Sequence, residues 1–272
     1  MIPPAFYIRP NLLPICTFRI VQSSITSGAT PVTAYGLVVL GMILCTLGSV
    51  EEGVRQGEAA LQLADRLQDR RLLNMTRHMF NTHVRMWRDP LPTCLEEEWS
   101  VYQTGLEVGD QEYASFGGHM HTFMRLHTAM PLDVLEPLAQ TIGDAIKGMA
   151  QHSTWHLQSV VWQTVRNLRG TDPGGAEFAG PICDTADYCR IHEASNSRSN
   201  LAILLANRLL LRTFFHETAT ALEDVQRAAT YIDAAVSCIH EPVFHGFGAL
   251  LLLLSLTPCL LYTSDAADEV LG

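Results

Sequence analysis

The sequence predicts an all-α protein, a right-handed solenoid of antiparallel helix pairs. Three observations carry this. Apolar residues recur at helical spacing in almost every long segment, and strand-like alternation is nearly absent. The breaks between segments space the helix pairs about 34 to 40 residues apart, within the range of helical repeat arrays. The helices are long and weakly charged, and no single segment dominates the core. An array whose repeats bury their apolar faces only against neighbours has this pattern.

A leading segment, residues 1–30, contains a partial helix. The helical region spans 31–258. Its first helix follows Pro31, with Leu37, Leu40, Gly41 and Leu44 on one side, and breaks at Gly48-Ser49. A second runs from Glu51 to Leu67 with Val54, Ala60, Leu61 and Ala64 inward. "LVVLGMIL" (Leu37 to Leu44) fits the first-helix pattern of the tetratricopeptide repeat, and Gly53 and Ala60 fall where that repeat needs small residues. The pattern departs at Gly57, where a large aromatic is usual, and at Asp65, where proline is usual.

Further helices are predicted at Leu72 to Trp87, apolar on one face with Leu72, Met75, Met79 and Met86, and at Leu95 to Val108. Gln111 to Leu126 and Pro131 to Met149 make the next pair, and Ser153 to Leu168 opens a fourth unit. "RGTDPGGAEFAGP" (169–181) is rich in Gly and Pro and reads as loop. A short helix from Asp184 to Glu193 comes next. Asn200 to Phe215, Thr218 to Cys238 and Pro242 to Leu256 complete the series.

Composition narrows the function. The chain has 272 residues, is 47% hydrophobic and carries a net charge of −10, so it offers no basic footprint for nucleic acid. Seven cysteines, dispersed among apolar residues, read as reduced thiols of a cytoplasmic protein rather than a disulfide framework. The N-terminus lacks the basic and apolar regions of a signal peptide. The apolar run from Ala249 to Leu256 is far shorter than the ~20 residues that span a bilayer.

No catalytic, cofactor-binding or metal-binding residue is predicted. His152 and His156 share a helix face, but "HSTWH" lacks the glutamate of a zinc protease and has no third ligand. His119 and His121 diverge on a helix, and His78 and His83 align poorly. Cys183, Cys189 and His192 lack finger spacing and a fourth partner; the plainer reading is a short helix with its two cysteines turned inward. "TDPGGAEFAG" (Thr171 to Gly180) has no Lys-Ser/Thr and no preceding strand, so it is not a phosphate loop. No nucleophile elbow or kinase catalytic loop is present. "LEEEW" (Leu95 to Trp99) reads as a solvated acidic face at a helix N-terminus. Trp87, beside a Pro-rich turn, is expected to be partly exposed.

Several strings are more specific. The stretch from "IPPAFYIRPNLLP" to "LVVLGMIL", then "SVEEGVRQGEAALQLADRL", "HVRMWRDPLPTCLEEEWSVYQTGLEVGDQEYASF" and "LLANRLLLRTFF", resembles the tetratricopeptide-like region of very large bacterial signalling proteins. Trp87 to Pro90 and Gly105 to Ala114 are the most distinctive parts. Those proteins join a serine/threonine kinase-like domain, a STAND-type AAA ATPase, the helical region, a GAF domain and a sensor histidine kinase. The resemblance spans Ile2 to Leu256 and includes none of the catalytic motifs, so it carries no site residue over. It implies a non-enzymatic, cytoplasmic scaffold or regulatory segment of a two-component-type kinase. ATP and Mg would act elsewhere in the parent, and the partners would be neighbouring domains or a signalling protein. The alternatives are a stand-alone protein-binding module and a metal-dependent helical enzyme using His152, His156 and a distant carboxylate. A segment without capping repeats is expected to expose apolar helix faces. Residues 259–272 are expected to be non-native: "CLLYTSDAADE" (Cys259 to Glu269) back-translates to a transposase-type sequencing adapter.

Overall fold

The computed structural model describes residues 12–172 and 174–268, the stretch 257–268 as backbone alone. The leading residues 1–11 and the final residues 269–272 lie outside the described residues, as do the side chains on which the adapter reading of Cys259 to Glu269 bears. Among the described residues there are twelve α-helices and no strand. They are α1 Leu13–Ser27, α2 Pro31–Thr46, α3 Val50–Arg66, α4 Arg70–His83, α5 Pro92–Glu107, α6 Gln111–Leu126, α7 Leu132–Gly148, α8 His152–Arg169, α9 Thr185–Ala194, α10 Arg198–Phe214, α11 Ala221–Ala229 and α12 His240–Asp268. The chain forms two compact units. The first holds the chain to Gln158 together with Val236–Ile239; the second holds Ser159–Ala235 and the chain from His240 onward.

In the first unit α1 to α7 pack in chain order, each on the next, and α2, α4 and α6 also touch in succession. Aspartates start α4 and α6: Asp69 accepts from Leu72 N at 3.0 Å and Asp110 from Tyr113 N at 3.3 Å, satisfying amides that have no partner within the helix. Glycine governs the tightest contacts. A Cβ on Gly41 would lie 2.6 Å from the Gly53 carbonyl oxygen, and one on Gly53 would lie 2.5 Å from Cys45 Sγ, so α2 and α3 meet backbone to backbone. The α5–α6 pair repeats the device: a Cβ on Gly105 would sit 2.7 Å from Ala114 N, and one on Gly117 2.7 Å from Tyr102 N.

This contact decides which side of α2 turns inward. Tyr35, Val38, Val39, Gly41, Met42 and Cys45 are buried, whereas Leu37, Leu40 and Leu44 are half-buried. A helix that is apolar nearly all round has little directional signal. Its orientation is set by where the glycines let α3 approach. At Gly57 the Phe80 ring of α4 fills the space beside the backbone, since a Cβ there would lie 2.4 Å from that ring.

The apolar face of α4 contributes Met75 and Met79 to the hydrophobic core, and polar residues are buried more deeply beside them. Leu72, Met75, Met79 and Met86 are half-buried, and Asn74, Thr76, His78, Phe80, Asn81 and Thr82 are buried. The helix ends at His83, with a 3₁₀ turn over Arg85–Trp87. Several of the buried polar groups have partners: Asn74 Nδ2 donates to the Val101 carbonyl at 3.0 Å, and Thr76 and Thr82 donate to carbonyls one turn back.

In the second unit α10 packs against α9, α11 and α12. Its Leu-rich sequence suits this, with Leu201, Leu204, Leu209, Leu210 and Leu211 all buried. The helix predicted from Thr218 to Cys238 is shorter: α11 ends at Ala229, followed by a 3₁₀ turn, Ile232–Ala234. Arg198 stops it by donating to the Thr230 carbonyl at 2.7 Å and lying over the Tyr231 ring. The Gly/Pro-rich segment is an irregular loop with one isolated antiparallel bridge, Ala179 to Asp184. Phe178 and Ala176 are buried, which anchors it. Exposed apolar side chains occur at Ile25 on α1 and at Leu250 and Leu256 on α12.

Gly53→Ala should destabilise the first unit by about 1–3 kcal/mol, because the added methyl overlaps backbone that cannot move away. Gly246→Ala in α12, where a Cβ meets nothing within 4 Å, should raise stability by up to about 1 kcal/mol. Urea midpoints of the two variants against the parent chain check both signs.

Candidate functional site

Titratable groups concentrate in the interior of the first unit, around α4, α5 and α6. His78 Nδ1 lies 2.8 Å from Glu98 Oε2, and Glu98 is fully buried. This corrects the reading of Leu95 to Trp99 as a solvated acidic face. Glu96 is exposed, but Glu98, two residues on, points into the core and meets His78 there. Burial pushes the Glu98 carboxyl up; His78 and Asn81 draw it back down. The His78 ring stacks on Phe116, 5.7 Å between centroids, and meets the edge of Tyr113. Tyr113 in turn shares a 2.7 Å hydroxyl contact with Tyr35, joining α6 to α2, and burial raises the Tyr35 hydroxyl to about 12.

The other histidines are placed singly. His119 Nδ1 meets Gln158 Oε1 at 3.2 Å and His121 Nδ1 meets the Leu95 carbonyl at 3.0 Å, so the two diverge as their spacing implies. His83 Nδ1 meets the Val236 carbonyl at 3.1 Å. Desolvation lowers His83, His119 and His127 to about 4, so all three are neutral at pH 7. His152 is exposed and His156 half-buried on α8. Among the described residues no three His, Cys, Asp or Glu side chains converge as a metal site would require. Trp87 is half-buried, its Nε1 donating to Ser237 Oγ at 2.8 Å.

In the second unit Cys183, Cys189 and His192 are buried without forming a metal cluster. Burial raises the Cys183 thiol to about 12 and also raises Cys189, which disfavours the reactive thiolate. The six described cysteines are free thiols. The Gly/Pro-rich loop is organised by α8. Gln163 Oε1 accepts from Ile182 N and Cys183 N at 3.2 and 3.3 Å, and Asn167 Nδ2 donates to the Gly175 and Glu177 carbonyls. Arg166 closes it with a bidentate pair to Asp172 at 2.6 and 2.9 Å.

The first unit also carries two surface depressions. A cleft of about 520 Å³ is lined by Cys16, Arg19, Ile20, Ser24, Tyr35 and Met75, from α1, α2 and α4. A shallower groove of about 360 Å³ is lined by residues including Leu61, Arg77, Phe80, Arg85 and Glu97. The polar pair and its histidines could not be found from spacing alone, because His78 and Glu98 lie on different helices.

Among the described residues no helix is long and apolar enough to cross a membrane.

Acid should unfold the first unit early. His83, His119 and His127 bind protons below pH 6.5 when unfolded but only near pH 4 when folded, so stability is full above 6.5 and is lost as pH falls toward 4. His119 alone accounts for up to about 3 kcal/mol. Glu98, raised by burial, acts in the opposite sense. Thermal melts between pH 7.5 and 4.5 should show Tm falling, and the fall should be smaller in His119→Gln. Glu98→Ala should cost about 3–5 kcal/mol by leaving His78 without its carboxylate, and His78→Phe/Glu98→Leu should cost less than that single change. Urea titration of the three variants measures both.

No family model, curated protein or solved structure matches this chain.

Proposed function

We propose that this chain is a non-catalytic helical scaffold, a regulatory segment of a multidomain signal-transduction kinase of the kind its sequence resembles. ATP binding and phosphotransfer would lie outside it. The observation that supports this reading is the recurrence of one packing device. The α2–α3 and α5–α6 pairs each close on glycine, at Gly41–Gly53 and at Gly105–Ala114, and α2, α4 and α6 touch in succession. Gly105 to Ala114 is also one of the two most distinctive strings of the resemblance, so its residue types suit the same architecture. A row of helices built this way presents a surface to a partner or to an adjoining domain, and a ligand that favours one packing over another would shift the array.

A second reading is a stand-alone protein-binding module. The 520 Å³ cleft of α1, α2 and α4, lined by apolar side chains together with serines, threonines and Arg19, favours it.

The coding sequence on both sides of the gene segment separates the two readings. ATPase sequence upstream and GAF sequence downstream, in frame, match the first; a stop and start at these ends match the second. Purified chain should neither bind nor turn over ATP with Mg, and measurable turnover would refute both.

A further inference from the structure

Two arginines of α10, one turn apart, converge on a single carboxylate oxygen. Arg208 Nη2 donates to Glu177 Oε1 at 2.7 Å and Arg212 Nη2 to the same atom at 2.5 Å. On their other side lies Asp224, with Arg212 Nη1 at 3.1 Å and Arg208 Nη1 at 3.7 Å. Thr220 Oγ1 accepts from Arg212 Nη1 at 2.6 Å and donates to Asp224 Oδ2 at 2.7 Å. Thr220 is the residue immediately before α11.

The four charged members differ in exposure. The side chains of Arg208, Arg212 and Asp224 are 14%, 10% and 10% exposed, whereas that of Glu177 is 39% exposed. Three groups form a wall and Glu177 covers it from the solvent side. The loop that carries Glu177 is held without this side chain: Asn167 binds the Gly175 and Glu177 carbonyls, Gln163 binds the amides of Ile182 and Cys183, and Arg166 binds Asp172. Rotation of Glu177 into water therefore leaves the loop backbone anchored. The Nε of both arginines is buried without a partner among the described residues, so the guanidinium forks are not saturated by the groups present.

Charge selects the ligand. Two guanidinium groups and one fixed aspartate leave a single positive charge, which one monoanion neutralises and a dianion over-neutralises. Guanidinium forks match the planar geometry of a carboxylate. We propose that Arg208 and Arg212 form a carboxylate-binding site that Glu177 closes in cis, and that a carboxylate from outside the chain exchanges with it. That carboxylate is either a small free acid or an acidic side chain on a partner protein.

The test removes the built-in occupant. Glu177→Ala in the full chain should lower Tm, and sodium acetate should restore at least half of the loss in a saturable way. Acetamide, and sodium chloride at matched ionic strength, should not. Arg212→Met added to Glu177→Ala should abolish the acetate response, and the parent chain should respond less than the variant. Acetyl-Gly-Glu-Gly-amide against its Gln counterpart separates the sources. A response to acetate alone assigns a small-acid site, and a response to the Glu peptide as well admits an acidic side chain. If Glu177→Ala does not fold, Glu177→Gln takes its place. Equal effects of acetate and acetamide, with no effect of the Glu peptide, would overturn the proposal and leave the arginines as a structural clamp.

Discussion

Backbone meets backbone where α2 crosses α3. The Gly53 carbonyl occupies the position a side chain on Gly41 would need, and the packing of the first unit depends on this contact. Helices with ordinary side chains at the crossing stay 8–10 Å apart. Glycine at both positions removes that spacer and leaves a broad van der Waals surface, at the cost of the backbone freedom glycine loses on folding. The rotation of α2 about its axis is set by the same contact. Tyr35, Val38 and Met42 turn inward, and Tyr35 reaches Tyr113 on α6.

The interior so formed is unusually polar. α4 turns Asn74, His78 and Asn81 inward and leaves its methionines half-buried. Partners on the next helix stabilise such a face, since an unpaired buried amide or carboxylate costs more than its hydrogen bond returns. Glu98 of α5 meets His78 and the Val101 carbonyl accepts from Asn74, which ties α4 to one register against α5. The same burial holds His83 and His119 neutral, so packing in this unit is linked to proton uptake.

The second unit uses polar groups differently. Its Gly/Pro-rich loop has no regular secondary structure, yet its backbone amides and carbonyls are bound by Gln163 and Asn167 of α8. A loop held from beneath can present a side chain at its surface without losing its path. Glu177 is in that position above the arginine pair. A scaffold role and a carboxylate-receiving site are compatible, because both depend on rigid helices displaying a few groups at fixed distances.

Helix existence was legible from residue order. Gln111 to Leu126 was bounded correctly by Gly109-Asp110, and the loop at 169–181 by its glycines and prolines, because these are local properties of a few adjacent residues. Small residues at 53 and 60 also marked a close contact before the partner was known. Orientation was not legible for α2, since an almost uniformly apolar helix has no preferred face until α3 is placed. The buried face of α4 and the burial of Glu98 were hidden for a related reason. Hydropathy ranks Asn, His and Glu as surface groups, and only a partner on another helix reverses that ranking. The arginine site is the extreme case: Glu177, Arg208, Thr220 and Asp224 come from a loop, two helices and a cap. No local pattern can bring them together; three-dimensional packing does.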